Sequence, residues 1–184
     1  MRAIETNFAV DPSGFGTKTT KSWFSEKHGR VIESRDWRKA HLMSGVSTHI
    51  VTAVKVTDSN ANDAPHLLPL AESTGQRFTM DEISADKGYL TKRNAAGIEE
   101  LGATPFILFK SNSVEPPEGS AWARMYHLFS YRRDEFAKHY HKRSNVETVF
   151  AMIKAKFGDT LSGKTTEAQT TRLWRRSSPR TCAA

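Results

Sequence analysis

Cysteine is almost missing from this chain. The only one, Cys182, lies two residues from the end, which excludes an internal disulfide and a cysteine-built zinc site. Any metal must be held by oxygen or imidazole. No segment approaches the roughly 20 consecutive apolar residues that cross a bilayer, and Met1-Arg2-Ala3-Ile4-Glu5 lacks the apolar run of a signal peptide. A cytoplasmic protein with no membrane partner is therefore expected. Acidic residues are in short supply, 20 against 27 Lys and Arg, leaving a formal charge of +7. Such a surface gathers polyanions, nucleic acid being the commonest, although basic proteins of many functions share it. Internal repeats and low-complexity segments are also absent.

What is present suits one core: 184 residues, 38% hydrophobic and 26% charged. Asn7 to Asp11 reads as a short strand stopped by Pro12 and the turn pair Ser13-Gly14. Two strands, about 38–46 and 49–57, form an antiparallel hairpin joined near Ser47-Thr48. Asp63 is placed to cap a helix from Ala64 to about Ser73, with Pro65 in its first turn. Asp81 to Asp86 is a strand ending at an acid, Thr91 caps a helix ended by Gly102, and Thr104 to Lys110 is a buried strand. This β-α-β unit favours parallel pairing. After a loop at 111–119, one helix is expected from about Ser120 to Lys138. Together these elements give an α/β fold, a mixed sheet covered by helices.

The run from Tyr140 to Lys154 carries the chemistry. At about 100° per residue, Tyr140, Arg143, Glu147 and Lys154 share an arc of roughly 60° on a helix. A separate stripe, Val146, Val149, Phe150, Ile153 and Phe157, suffices to dock that helix. The polar face fits a row of surface ion pairs, worth about 0.2–0.5 kcal/mol each, as well as it fits phosphate chemistry. Asp11 and Asp86, both at strand ends, precede Glu147 in the chain, with 75 residues from Asp11 to Asp86 and 61 from Asp86 to Glu147. Neighbouring strands bring their carboxyl ends to one sheet edge, so the three acids can converge. Three carboxylates together repel one another, and magnesium, which takes oxygen ligands, relieves this. Two ions about 3.5–4 Å apart can activate a nucleophile and stabilise a leaving oxygen at a phosphodiester, with Arg143 and Lys154 clamping phosphate oxygens. Taken singly, an aspartate after a strand is more often a turn former or cap.

Phe8-Ala9-Val10-Asp11-Pro12-Ser13-Gly14-Phe15, Ser84-Ala85-Asp86-Lys87-Gly88-Tyr89 and the Y-x2-R-x3-E-x6-K pattern from Tyr140 to Lys154 closely resemble bacterial insertion-sequence DDE transposases. The likeness runs from about residue 7 to 169. The resemblance implies an RNase H-like domain with Asp11, Asp86 and Glu147 as catalytic triad and metal ligands. It implies two magnesium ions, with manganese able to substitute, driving hydrolytic nicking at transposon ends and attack of the freed 3′-hydroxyl on target DNA. Tyr140, Arg143 and Lys154 match positions that grip DNA phosphates. A Trp-x-Lys-x-His stretch, matched by Trp37, Lys39 and His41, implies a site-wall or phosphate-contact role for Lys39 and His41. On the residues alone such a pair is more often a solvated hairpin face above a packed tryptophan. The implied partners are transposon ends and target DNA in the nucleoid, and a second copy of the full-length chain.

The pattern departs from the family at both ends. Only ten residues precede Asp11, where relatives carry a helical end-recognition region, and the Arg-rich 171–184 segment reads like out-of-frame translation where relatives continue in an apolar helix. The expected organisation is a catalytic domain over 1–160 and a loosely ordered, truncated or frameshifted tail over 161–184. Two rivals stand beside the transposase: a structure-selective nuclease on the same fold, and a DNA-binding remnant without activity. The adjacent DNA checks the truncation; an upstream recognition domain and a downstream apolar helix in another frame are expected, and finding neither removes the idea.

Overall fold

Alternating strand residues begin the sheet. The computed structural model describes residues 4–17, 37–114, 119–163 and 165–177. β1 (Asn7–Thr17) pairs antiparallel with β2 (Trp37–Gly45) from Phe8↔Gly45 to Gly16↔Trp37, and β2 pairs antiparallel with β3 (Val51–Asp58). On its other side β1 pairs parallel with β4 (Glu82–Ala85), which pairs parallel with β5 (Thr104–Ile107). The order is β3-β2-β1-β4-β5, and β6 (Thr160–Leu161) adds parallel to the far end of β1. The expected hairpin and β-α-β unit are both there. The helices are α1 (Leu67–Gly75), α2 (Lys92–Glu100), α3 (Ala121–Tyr131), α4 (Arg133–Tyr140), α5 (Ser144–Phe157) and α6 (Thr166–Ser177). No helix among the described residues is long and apolar enough to cross a membrane.

Period-two alternation divides the core between the two sheet faces. Phe8, Val10, Met43, Ile83 and Ala85 pack with Leu67, Leu70, Ala95, Ile98 and Met125 of α1, α2 and α3. Ala9, Phe15, Ala40 and Leu42 pack on the other face with Val146, Val149, Phe150 and Ile153, the predicted stripe of α5. Both faces are covered, as a mixed sheet flanked by helices requires.

Four expectations change. β1 does not stop at Pro12: its pairing with β4 ends at Val10, so from Asp11 to Phe15 it has a partner on one side only, and such a one-sided stretch tolerates proline. Asp63 sits at the helix start without capping it. The single 120–138 helix is two, because Arg132 leaves helical geometry (φ −131°, ψ 55°). Asp134 and Glu135 then fall in the first turn of α4, where carboxylates are favoured by unsatisfied N–H groups. Finally, where a loose tail is expected, Thr160–Leu161 forms β6 and Thr166–Ser177 forms α6. Gln169, Leu173 and Ser177, four apart, make a buried stripe on α6, and Leu173 joins Leu161 in the α5 core. Residues 178–184 lie outside the described residues.

Two local devices keep these elements in place. The Thr91 hydroxyl accepts from Asn94 N–H, and Gly102, at φ +82°, closes α2 as expected. The β2–β3 turn is organised by Glu5, whose buried carboxylate accepts from the N–H groups of Asn7, Ser47 and Thr48 and from the Thr48 hydroxyl, at 2.9–3.2 Å. A Cβ on Gly45 would lie 2.7 Å from the same carboxylate. Glu5→Ala leaves these buried donors unmet and is expected to lower stability by about 1–3 kcal/mol, read from the urea unfolding midpoint.

Candidate active site

The parallel ladder sets the first two acids side by side. Its rungs Ala9↔Ser84 and Val10↔Ala85 make Asp11 and Asp86 the next residue of each strand. Alternation gives Asp11 the face of Ala9 and of its antiparallel partner Leu42, which is the face α5 covers. Docking of α5 through Val146 and Val149 brings Glu147, in its first turn, to the same place. Helix and sheet meet at Arg143: Nη1 lies 2.9 Å from Asp11 Oδ1 and Nη2 lies 3.0 Å from Glu147 Oε1. Tyr140 donates to Asp86 Oδ1 at 3.4 Å, and the Arg143 guanidinium lies 5.7 Å from its ring centre. Lys154 Nζ donates to Ser13 Oγ at 2.8 Å and sits over the Phe15 ring.

These residues do not share one helix face. Tyr140 ends α4, Arg143 belongs to a 3-10 turn over His141–Arg143, and only Glu147 and Lys154 lie on α5. The turn keeps the chain helical enough for the i,i+4 contact from Arg143 to Glu147, while Tyr140 swings toward β4. Lys142 and His139 approach Glu82 of β4 at 2.6 and 2.9 Å and hold that junction against the sheet. Burial pushes the Glu82 pKa up, but the hydrogen bonds from His139 and Lys142 outweigh it and leave the pKa lowered.

Burial and like charge both act on the acids. Burial raises Asp11 from the ordinary 3.8 to about 6, against the pull of Arg143, and the charges of Asp86 and Glu147 push it further up. Burial likewise raises Tyr140. Burial draws Arg143 down, but the carboxylates of Asp11 and Glu147, with Tyr140, leave it raised overall. Among the described residues no three His, Cys, Asp or Glu side chains form a ready-made metal cage. The Arg143 guanidinium stands between Asp11 and Glu147. The donors are nonetheless carboxylate oxygens, the kind that a hard divalent ion takes, and Glu147 is 56% exposed.

Lys39 and His41 lie elsewhere. Alternation along β2 places them on the face opposite Leu42 and hence opposite Asp11. Lys39 Nζ is held by Ala61 O and Asp63 Oδ1 at 2.8 and 2.9 Å. His41 is fully buried, with Nδ1 2.8 Å from the Tyr89 hydroxyl and Nε2 3.1 Å from Thr57 Oγ1. Burial, with His66 beside it, lowers His41 to about 4, so it is neutral at pH 7. Phosphate contact through His41 is therefore excluded by its burial. Its contact is with Tyr89, which fixes the turn following Asp86, together with Asn94 Nδ2, which donates to Tyr89 O at 2.7 Å. Tyr89 stood in the Asp86-Lys87-Gly88-Tyr89 motif without a role; strand parity would have put Lys39 and His41 behind the sheet. Trp122, Tyr126 and Phe129 pack edge-on or tilted around Phe109, as core residues.

The raised Asp11 gives a pH signature. Between pH 4 and 6 the folded chain keeps a proton that the unfolded chain releases, so metal-free stability falls as pH rises through that window, by up to about 3 kcal/mol from this group. Asp11→Asn is expected to flatten that part of the stability curve, measured by urea unfolding in chelator.

No curated protein matches the chain. A family model described as "Transposase DDE domain" matches residues 3–178, which takes in both strand acids, the α5 glutamate and the α6 segment. DDE transposases are polynucleotidyl transferases that act on DNA and generally use divalent metal ions. With a mixed sheet presenting Asp11 and Asp86 beside a helix that presents Glu147, the chain belongs to the transposase DDE domain family, as a transposase catalytic domain.

Proposed function

We propose that Asp11, Asp86 and Glu147 are the catalytic carboxylates of an insertion-sequence transposase of the Y-R-E-K type, and that they hold two magnesium ions, for which manganese can substitute. The observation that carries this reading is the meeting of acids from β1, β4 and α5 at one guanidinium, with Asp11 and Glu147 both within 3.0 Å of Arg143. When bound, the ions supply Lewis acidity at the attacking and leaving oxygens of a phosphodiester. The chain's own part is placement. The β1–β4 ladder and the Tyr89–His41 tie hold the two aspartates, while α5 carries Glu147 on a packed stem.

Tyr140, Arg143 and Lys154 act on DNA. The guanidinium can grip two phosphate oxygens in its planar fork, Lys154 adds a point charge steadied by Ser13, and the Tyr140 hydroxyl orients Asp86. Lys39 takes a supporting role through Asp63, beside the turn after Asp86, where a Cβ on Gly88 would lie 2.7 Å from Asp63 Oδ2. The reaction is hydrolytic nicking at transposon ends followed by strand transfer of the 3′-hydroxyl to target DNA, in the cytoplasm, by a homodimer that holds both ends. The charge of +7 supports a polyanionic substrate.

Supercoiled plasmid with magnesium, and an oligonucleotide donor bearing a 3′-hydroxyl, test this. Nicking and donor joining are expected from wild type, and Asp86→Asn and Glu147→Gln should each reduce both by more than the roughly 10–100-fold that loss of an outer metal partner brings. Nicking without joining would favour a nuclease, and variant nicking equal to wild type would remove the acids from the chemistry.

A further inference from the structure

We propose that Arg143 is the resting counter-ion of the carboxylate site and couples cation binding to DNA binding, holding Asp11 and Glu147 until a DNA phosphate draws it away. This rests on the reading of the three acids as divalent-cation ligands.

One guanidinium bridges acids that come from different elements. Nη1 reaches Asp11 on β1 at 2.9 Å and Nη2 reaches Glu147 on α5 at 3.0 Å, with the side chain only 20% exposed. A positive group thus stands between two of the carboxylates, and cation and guanidinium compete for the same pair of negative charges. The two states oppose one another because a divalent cation and a guanidinium held at short range by the same two carboxylates repel each other.

The resting state also leaves one donor unmet. Arg143 Nε is buried without a hydrogen-bond partner among the described residues. Such a group is costly, and a phosphate offering two oxygens can satisfy Nε and one Nη together in the planar fork. Tyr140 lies beside the guanidinium, 5.7 Å from ring centre to Cζ, so the side chain has a surface along which to shift without leaving the site. Glu147, 56% exposed, is free to turn once released. Lys154 does not substitute for Arg143 on the acids, because its ammonium is held by Ser13.

Two consequences follow from linkage. DNA should raise cation affinity and the cation should raise DNA affinity by the same factor, since phosphate removes the competitor. Removing Arg143 should strengthen cation binding in the absence of DNA. A residue that merely braced the site would do the reverse, since its loss would loosen the ligands.

The test is Mn2+ binding, followed by the paramagnetic resonance signal of the free ion, on the full 184-residue chain with and without a short mixed-sequence duplex. Wild type is expected to bind Mn2+ about tenfold more tightly with duplex, within the range usual for coupled sites. Arg143→Gln is expected to bind about tenfold more tightly than wild type without duplex and to gain little from it. Equal or weaker Mn2+ affinity in the DNA-free variant, with wild type binding normally, overturns the inference and leaves the metal-site reading intact. No Mn2+ binding by either protein overturns both. Should Arg143→Gln fail to fold, Arg143→Lys decides the matter: its single ammonium does not span both acids, so tighter binding than wild type is expected and equal affinity overturns the inference.

Discussion

The site depends on four rungs of parallel ladder between β1 and β4. Pairing Asn7 with Glu82 through Val10 with Ala85 brings residues 75 apart in sequence to adjacent strand ends, and each strand's next residue is an aspartate. Register is decisive because a slip of one residue would send one acid to the opposite face. The register is held by burial on both sides, with Phe8, Val10, Ile83 and Ala85 against α1 and α2, and with Ala9 and Ser84 on the other face. Ala9 and Ser84 are small, which lets the 3-10 turn carrying Arg143 come close to the strands just before the acids.

Packing that brings carboxylates together also creates an electrostatic difficulty. Asp11 is withdrawn from water among like charges, and its pKa rises to about 6 even with an arginine in contact. The fold answers with positive groups from one short stretch: Arg143 on Asp11 and Glu147, Lys142 on Glu82, and Lys154 on Ser13. These contacts hold the α4–α5 junction against the sheet. The same ion pairs that offset the charge of the acids therefore contribute to local structure.

Much of this was legible beforehand, and the misses have common causes. Val146, Val149, Phe150 and Ile153 announced a docking stripe because helical periodicity is a local property, and all four are buried. Thr91 and Gly102 announced the limits of α2 for the same reason. Pro12 misled because proline is excluded from a strand only where its missing N–H would be needed, and that depends on where the β4 ladder ends. Gln169, Leu173 and Ser177 were passed over because a stripe with one large apolar residue counts for little until β6 and α5 supply its partner surface. The motif likeness points His41 toward substrate, whereas strand parity sets it on the face opposite Asp11.

The sequence by itself determined the chemical inventory: three acids, the Tyr140 to Lys154 pattern, a basic surface, and the propensities that make strands and helices of the segments bearing them. Those properties depend on residue type and short spacing, which any stretch of chain carries with it. Tertiary structure alone decided that Arg143 bridges Asp11 and Glu147, that Tyr140 reaches Asp86 from a different helix, and that His41 supports the turn after Asp86 from behind. Each of those is a contact across 48 to 132 residues, or hangs on a break between helices. Such contacts follow from sheet register and the docking of α5, where many weak apolar contacts add up to one geometry that no local pattern contains.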